Sequence, residues 1–370
     1  MTADLSIVVP TFNESANIEA LIERVSIALE GLSWEMIVVD DDSPDGTADV
    51  AKAIARHDGR VRCIRRVNRR GLSGACVEGI LSSSAPFVAV MDADLQHDET
   101  LLLPMYRSVR SGAADIAVGS RYSTGNAVAT GFSSLRARIS RCGTALAKRI
   151  LGITCTDPMS GFFMLRRDIF DPLAPRLAES GYKILADILA SSSRPLRIAE
   201  FGFEFRPRRA GQSKFDARIV LDFLGLLINK LSNGRIPVRF ASFALVGASG
   251  VLVHLVALQI ARLALTAPLS YHRDVFAASQ AAATFVAMTT NFFVNNAVTY
   301  RDSRIQGAPH LLRALLAFHL VCALGAVANV SVATSLYDMT GRWLAPAIAG
   351  VVMGSIWNFT LSSFFVWKRS

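Results

Sequence analysis

The chain has 370 residues, of which 51% are hydrophobic and only 19% charged, with 39 Lys and Arg against 30 Asp and Glu. That composition excludes a disordered or fibrous chain, because there is ample apolar surface to bury. The length suits two or three domains of roughly 100–200 residues each.

The charge is unevenly divided. Residues 1–218 carry 28 basic and 26 acidic side chains, residues 219–370 carry 11 and 4, and no Glu follows Glu204. Two solvents are implied, water for the first part and lipid for the second. Most of the excess positive charge falls in short segments between long apolar runs, so membrane topology explains it and nucleic acid is not an expected partner. Cys63, Cys76, Cys142, Cys155 and Cys322 are odd in number and lack C-x-x-C spacing, which indicates neither a disulfide framework nor a zinc site. Asp4 and the strand-like Leu5–Pro10 come at once, with no signal-peptide pattern before them. The first domain is therefore expected on the cytoplasmic side.

Along that domain, β-branched runs alternate with helical patterns. Strands are expected at Leu5–Pro10, Met36–Asp40, Val61–Arg65, Phe87–Met91 and Ile116–Gly119. Helices are expected at Asn17–Leu29, Thr47–Arg56, Ser73–Ser82 and Glu99–Arg110, where apolar residues fall at helical spacing. Four such crossovers in succession predict an α/β fold with a mostly parallel sheet covered by helices on both faces. Ligands on such sheets bind beyond the carboxyl ends of the strands.

Polar clusters stand at those ends. The first strand ends in Pro10-Thr11-Phe12-Asn13-Glu14, the second in Asp40-Asp41-Asp42-Ser43-Pro44-Asp45-Gly46-Thr47, and the fourth in Asp92-Ala93-Asp94-Leu95-Gln96-His97. Asp45 and Asp98 also suit ordinary helix N-caps. As a group, acids converging on one rim repel one another unless something positive or hydrogen-bonding lies between them. Asp92-x-Asp94 has the chemistry of a hard-cation site with room for phosphate oxygens. A divalent ion there would neutralise a leaving diphosphate.

These stretches resemble family 2 glycosyltransferases of the GT-A fold, and more narrowly the dolichol-phosphate (polyprenol-phosphate) mannose synthases. The resemblance runs over about Leu5–Lys214. It is supported by Gly119-Ser120-Arg121-Tyr122, Asp157-Pro158-Met159-Ser160-Gly161-Phe162-Phe163 and Arg208-x-x-Gly211-x-Ser213-Lys214. It implies that Pro10, Phe12, Glu14, Val39 and Asp41 hold the nucleoside of a nucleotide-sugar, and that Asp92, Ala93 and Asp94 lie along its ribose and diphosphate. It implies Mg2+ or Mn2+ on Asp94 and Gln96. Arg121, Arg208 and Lys214 match donor- or acceptor-phosphate positions, and Arg136 and Ser140 match the place of the lipid phosphate. The catalytic set is then Asp92, Asp94, Arg121 and Arg208. A solvated helix face is the other reading of Arg136, Arg138 and Arg141. Asp98-Glu99 departs from the prolines frequent in the family. Pro207–Ser213 reads as a loop suited to closing over substrate.

The implied reaction is sugar transfer with inversion to dolichyl or polyprenyl phosphate, with GDP-mannose as donor. Ser43-Pro44-Asp45-Gly46-Thr47 leans towards mannose by resemblance, and a UDP-sugar such as UDP-glucose is the alternative. A processive polysaccharide synthase would show Q-x-x-R-W, but before Arg342-Trp343 the Gln position holds Met339. A lipid-linked sugar transporter that merely binds nucleotide-sugar is a third reading.

Four runs lack Asp, Glu, Lys and Arg: Phe240–Ala261, Val275–Tyr300, Ala314–Tyr337 and Trp343–Trp367. Each exceeds the roughly 20 residues that span a hydrocarbon core. Lys230, Arg235, Arg239, Arg301, Arg304, Arg313, Lys368 and Arg369 flank one side, against Arg262, Arg273 and Arg342 on the other, so both termini are expected to be cytoplasmic. Ile219–Leu231 reads as an interfacial helix, or as a simple linker. The expected domains are 1–214 for sugar transfer, 215–236 for the interfacial segment and 237–370 for a four-span membrane domain. Asn291-Phe292-x-x-Asn295, ending at Tyr300, recurs as Asn358-Phe359-x-x-Ser362, ending at Trp367. The spans thus resemble the two hairpins of a GtrA-like domain, with the Asn residues expected as interhelical glue.

Overall fold

The computed structural model describes residues 3–67, 69–122, 154–177, 183–204, 206, 217–232, 234–265, 272–300, 303–340 and 344–367. The chain divides into two compact units, Met1–Val238 and Arg239–Ser370.

The first unit is built on a seven-stranded sheet. Its leading elements are β1 (Leu5–Thr11), α1 (Ile18–Ala28), β2 (Trp34–Asp40), α2 (Thr47–Ala55), β3 (Val61–Arg65), α3 (Leu72–Ser82) and β4 (Phe87–Val90). A 3₁₀ turn over Glu99–Leu101 leads into α4 (Leu102–Arg110). Then come β5 (Ile116–Ser120), β6 (Phe163–Arg166), the short α5 (Arg167–Phe170), α6 (Ile184–Ser191), β7 (Ile198–Gly202) and α7 (Ala217–Leu231). The expected strands and helices are present within one or two residues of their bounds, apart from the 3₁₀ start of α4. The expectation missed β6 and β7.

The strand order is β3-β2-β1-β4-β6-β5-β7. β6 runs antiparallel to both β4 and β5, and every other pairing is parallel. Strand β1 is buried along its whole length, as a central strand covered on both faces must be. Leu5, Ile7 and Val9 join the core under α1 and α4, whereas Val8 points into the core under α3 and α6. Gly79 of α3 lies directly on Val8 and Val39: a β-carbon there would overlap the Val8 side chain and come within 2.9 Å of Val39 Cγ2.

Helix α7 is anchored at its last turn. Lys230 Nζ lies 2.5 Å from the buried carboxylate of Asp187 on α6 and donates to Ser191 Oγ (2.8 Å) and Arg176 O (3.0 Å).

The second unit contains α8 (Val238–Leu265), α9 (His272–Ala297), α10 (Ala308–Thr340) and α11 (Leu344–Leu361), the last continuing into a π-helical turn at Ser362–Val366. Among the described residues, Val238–Ala264 and Ala308–Val327 are long and apolar enough to cross a membrane, with mean hydropathies of 2.0 and 1.8. The other two expected spans fall on α9 and α11.

The repeat has a structural counterpart. Phe243-x-Leu245-Val246-x-Ala248-x-Gly250 in α8 reappears as Phe318-x-Leu320-Val321-x-Ala323-x-Gly325 in α10. Gly250 receives the side chain of Asn291, and Gly325 receives that of Asn358; a β-carbon at either glycine would overlap the amide. Tyr300 N donates to Asn295 O and Trp367 N to Ser362 O, both at 2.9 Å and both five residues back. The two closing aromatics meet face to face, with centroids 4.2 Å apart and an interplanar angle of 2°.

Replacing Gly79 with Ala should cost about 1–3 kcal/mol by overpacking between α3 and the β1–β2 pair. Denaturant unfolding of the purified chain would measure it, and an unchanged midpoint would refute the contact.

Candidate active site

Backbone strain marks the rim. The non-glycine residues with positive φ among the described positions are Asn13 (61°), Asp42 (57°) and Leu95 (61°), which follow β1, β2 and β4 respectively. Leu95 has no local hydrogen-bonding excuse for that conformation. It is 5% exposed, and its burial anchors the turn that carries Asp94 and Gln96.

The loops after β1 and β2 are laced together. Asn13 N donates to Ser43 Oγ (3.0 Å), Glu14 N to Thr47 Oγ1 (3.0 Å) and Ser15 N to Asp45 Oδ2 (3.1 Å). Asp45 also accepts from Thr47 N and Oγ1, and the hydrogen bonds from Thr47 and Ser15 outweigh the effect of burial, lowering its carboxyl below the ordinary range. Ser43, Asp45 and Thr47 therefore serve the frame of the site. Buried Asp40 completes it by accepting from Thr11 Oγ1, Ser43 N and Ser43 Oγ.

Asp41 is 6% exposed, and its two oxygens accept from Arg66 Nη1 and from Gly71 N, each at 2.6 Å. Burial raises its pKa, and the amide of Gly71 and the charge of Arg66 only partly oppose that. Pro10 and Val39 lie in paired positions of β1 and β2, and Phe12 follows, with the Arg70 guanidinium 4.6 Å from its ring centroid. Glu14 accepts from Asn17 Nδ2 at 2.7 Å.

After β4, Asp94 is 6% exposed and Gln96 7%. Asp94 Oδ1 accepts from Gln96 N at 3.2 Å. Gln96 Nε2 donates to Arg206 O (2.8 Å), and Arg206 N donates to Gln96 O (3.2 Å). This bracket clips the segment after β7 onto the acidic turn, and Arg206 adds ion pairs to Asp98 and Glu99. Asp98 caps the following turn through Thr100 N, as the helix-cap reading has it, and also binds Arg206.

His97 is fully buried. Its Nδ1 accepts from Asp92 N (3.2 Å), which places the ring proton on Nε2, 3.7 Å from Asp92 Oδ2. The ring stacks on Phe162 (5.1 Å, 16°) and meets the edge of Phe203 at 5.6 Å. Burial lowers its pKa to about 4, so it is neutral at physiological pH.

The antiparallel direction of β6 brings the chain before it to this same rim. Gly161 abuts the Asp92 carboxylate, and an added β-carbon would lie 2.7 Å from Oδ2. Fully buried Asp157 takes Arg121 Nε at 2.7 Å and Nη2 at 2.8 Å. Burial works against the charge of Arg121, but the bonds from Asp157 outweigh it and raise its pKa. Gly119 makes room for the Phe162 ring, and Ser160 Oγ donates to Gly119 O at 2.7 Å.

Pro10, Phe12, Glu14, Val39, Asp41, Asp92, Ala93, Asp94, Gln96 and Arg121 thus all fall at one edge of the sheet. Arg136, Ser140, Arg208 and Lys214 lie outside the described residues, as does Pro207–Ser213. Sequence reasoning passed over Asp157, His97, Arg66 and Gly161 as functional positions; the Asp157–Phe163 motif was the available signal for two of them. Cys63, Cys76 and Cys155 are free thiols. Burial raises their pKa values, to about 11 for Cys63 and about 12 for Cys155, which suits packing and not nucleophilic chemistry.

The donor set fits a hard divalent cation. Asp94 offers carboxylate oxygen and Gln96 an amide oxygen, with the amide nitrogen turned away onto Arg206. Among the described residues no cluster of three or more His, Cys, Asp or Glu forms a self-sufficient metal cage.

Residues 6–173 match the family described as "Glycosyl transferase family 2", and residues 242–367 match "GtrA/DPMS, transmembrane domain". A dolichol-phosphate mannosyltransferase of Pyrococcus furiosus is 32% identical over 368 residues, covering 98% of this chain and 99% of that one. The enzyme of the same name from Saccharomyces cerevisiae is 31% identical over 232 residues, covering 60% of this chain and 85% of that one. Among solved structures, glucosyl-3-phosphoglycerate synthase from Mycobacterium tuberculosis, in complex with Mn2+, UDP and glucosyl-3-phosphoglycerate, aligns with a TM-score of 0.47 at 21% identity, covering 62% of this chain and 80% of that one. With a GT-A-like sheet unit, a GtrA-type membrane unit and near-complete coverage of one relative, the chain belongs to the dolichol-phosphate mannosyltransferases of glycosyltransferase family 2.

Proposed function

We propose that the chain transfers mannose from GDP-mannose to dolichyl or polyprenyl phosphate, inverting the anomeric carbon and releasing the nucleoside diphosphate. The observation that carries this reading is the 32% identity with a dolichol-phosphate mannosyltransferase across 98% of the chain. The converged rim residues support it.

A lipid monophosphate, with a second pKa near 6, is largely ionised at neutral pH and is already a nucleophile. No side chain has to act as a strong base. His97 fits that economy: it is neutral, buried and occupied with the backbone of Asp92. Its part is to hold Asp92 from one side while Gly161 confines it from the other. Pro10, Phe12, Glu14, Val39 and Asp41 would line the nucleoside, and Asp92 and Ala93 the ribose and diphosphate. Asp94 and Gln96 would hold Mg2+ or Mn2+, which when bound supplies positive charge to the departing diphosphate. Arg121, aimed by Asp157, would offer a planar fork to a phosphate. Arg121, Arg208 and Lys214 are assigned to the donor phosphates, and Arg121 and Arg208, with Arg136 and Ser140, to the acceptor phosphate.

The chain is a membrane protein. We place domain limits at 1–214, 215–236 and 237–370, and four spans at about 240–261, 275–300, 314–337 and 343–367. We assign the catalytic unit and both termini to the cytoplasmic side, a reading the distribution of Lys and Arg supports.

Asp94→Ala should lower kcat/KM by about 100-fold or more, and chelation should abolish product until Mg2+ or Mn2+ is restored. Turnover of labelled GDP-mannose with polyprenyl phosphate in detergent would measure both, and undiminished turnover would refute the metal role. Preference for a UDP-sugar in the same assay would overturn the donor assignment.

His97→Phe keeps the ring stack but cannot accept from Asp92 N, and kcat should fall about tenfold. His97→Asn, whose amide oxygen can replace Nδ1, should recover most of it. Equal loss in both variants at equal thermal stability would exclude the positioning role.

A further inference from the structure

Where α9 gives way to α10, the second unit forms an open cavity of about 530 Å³. Asn296, Arg304 and Gln306 line it with polar groups, and Phe293, Ala297 and Leu311 line it with carbon. The floor is fixed. Asn296, 4% exposed, accepts from Ile305 N (2.9 Å) and Trp367 Nε1 (3.0 Å) and donates to Ile305 O (3.1 Å). With its amide spent on those bonds, Asn296 locks Ile305 in place, and Arg304 and Gln306 stand on either side of it.

Arg304 is exposed, and no carboxylate lies within ion-pair distance of it among the described residues. Among the described residues, no acidic side chain lines the cavity. The surrounding stretch 301–313 carries Arg301, Arg304 and Arg313 against Asp302 alone. Phe293, 49% exposed, with Ala297 and Leu311 gives the lining an apolar wall as well. A free phosphate would leave that wall wet. A neutral lipid would leave the guanidinium without a counter-charge. The matching ligand carries an anion at one end and hydrocarbon at the other. Its charge is also indicated: one arginine balances a phosphodiester of charge −1, whereas a phosphomonoester at about −1.5 to −2 would be only partly neutralised.

We propose that this cavity binds the phosphodiester head of an anionic bilayer phospholipid. Arg304 takes the phosphate, Gln306 takes a glycerol or ester oxygen, and the acyl chains leave along Phe293 and Leu311. The described residues that form the site belong to the second unit, and the proposal does not depend on the reading of the sugar-transfer reaction.

The test uses the full chain, purified in detergent and stripped of lipid, with short-chain phosphatidylglycerol and phosphatidylcholine as probes and native mass spectrometry as readout. Phosphatidylglycerol should bind the unaltered chain about tenfold more tightly than phosphatidylcholine. Arg304→Gln should erase that preference, and Arg304→Lys should keep most of it. Should Arg304→Gln fail to fold, Gln306→Glu, which sets a negative charge on the same wall, should weaken phosphatidylglycerol alone. Equal binding of the two lipids, or an unaltered preference in the variants, would overturn the proposal. So would polyprenyl monophosphate displacing phosphatidylglycerol at lower concentration, because the isoprenoid would then be the occupant. Binding is read without donor or acceptor turnover, so its failure leaves the transfer reaction untouched.

Discussion

Asp157 accepts two side-chain hydrogen bonds from Arg121 because β6 runs against the rest of the sheet. In a purely parallel sheet, the segment entering a strand lies at the edge opposite the ligand crevice. Reversing β6 places its entering segment, Asp157–Phe162, at the carboxyl ends of β4 and β5. From there Gly161 abuts Asp92, Phe162 stacks on His97, and Asp157 aims Arg121. Three features of the rim thus depend on the direction of one strand. The glycines at 119 and 161 permit it, since each faces a side chain that a β-carbon would displace.

The parallel half of the sheet was legible because its signals are local. β-branched runs, helical periodicity and turn residues repeat over Leu5–Arg110, and the polar clusters stand where each strand ends. β6 and β7 left a weaker trace. Phe163–Arg166 is four residues long and its pairing is wholly non-local, so no periodicity announces it. Its importance lies in direction, which composition does not encode. Resemblance drew attention to Asp157–Phe163 without saying what its members do. Ser43, Asp45 and Thr47 are the converse case: a stretch read for donor preference is spent in the structure on lacing two loops together. His97 was quoted as part of a motif, but its role depends on which ring nitrogen faces the Asp92 amide, a matter of three-dimensional placement.

The second unit answers a different constraint. Helices in lipid gain little from burying carbon against carbon, so their association relies on close approach and on polar side chains that bond between them. Gly250 with Asn291, and Gly325 with Asn358, supply the close approach, once in each half. The Tyr300–Trp367 stack joins equivalent positions of the two halves. Asn296 departs from that symmetry by tying Trp367 to the turn at Ile305, and the lined cavity forms beside it.

Lys230 and Asp187 meet in the interior of the first unit, 10% and 3% exposed at the side chain. Separating a pair so far from water strands an uncompensated charge, at about 3–5 kcal/mol. The polypeptide therefore leaves the sheet through a riveted joint instead of a swivel. Any motion that carries α7 away from α6 must first hydrate both ions, which makes departure an all-or-none event and gives the exit helix a fixed bearing on the fold that launches it.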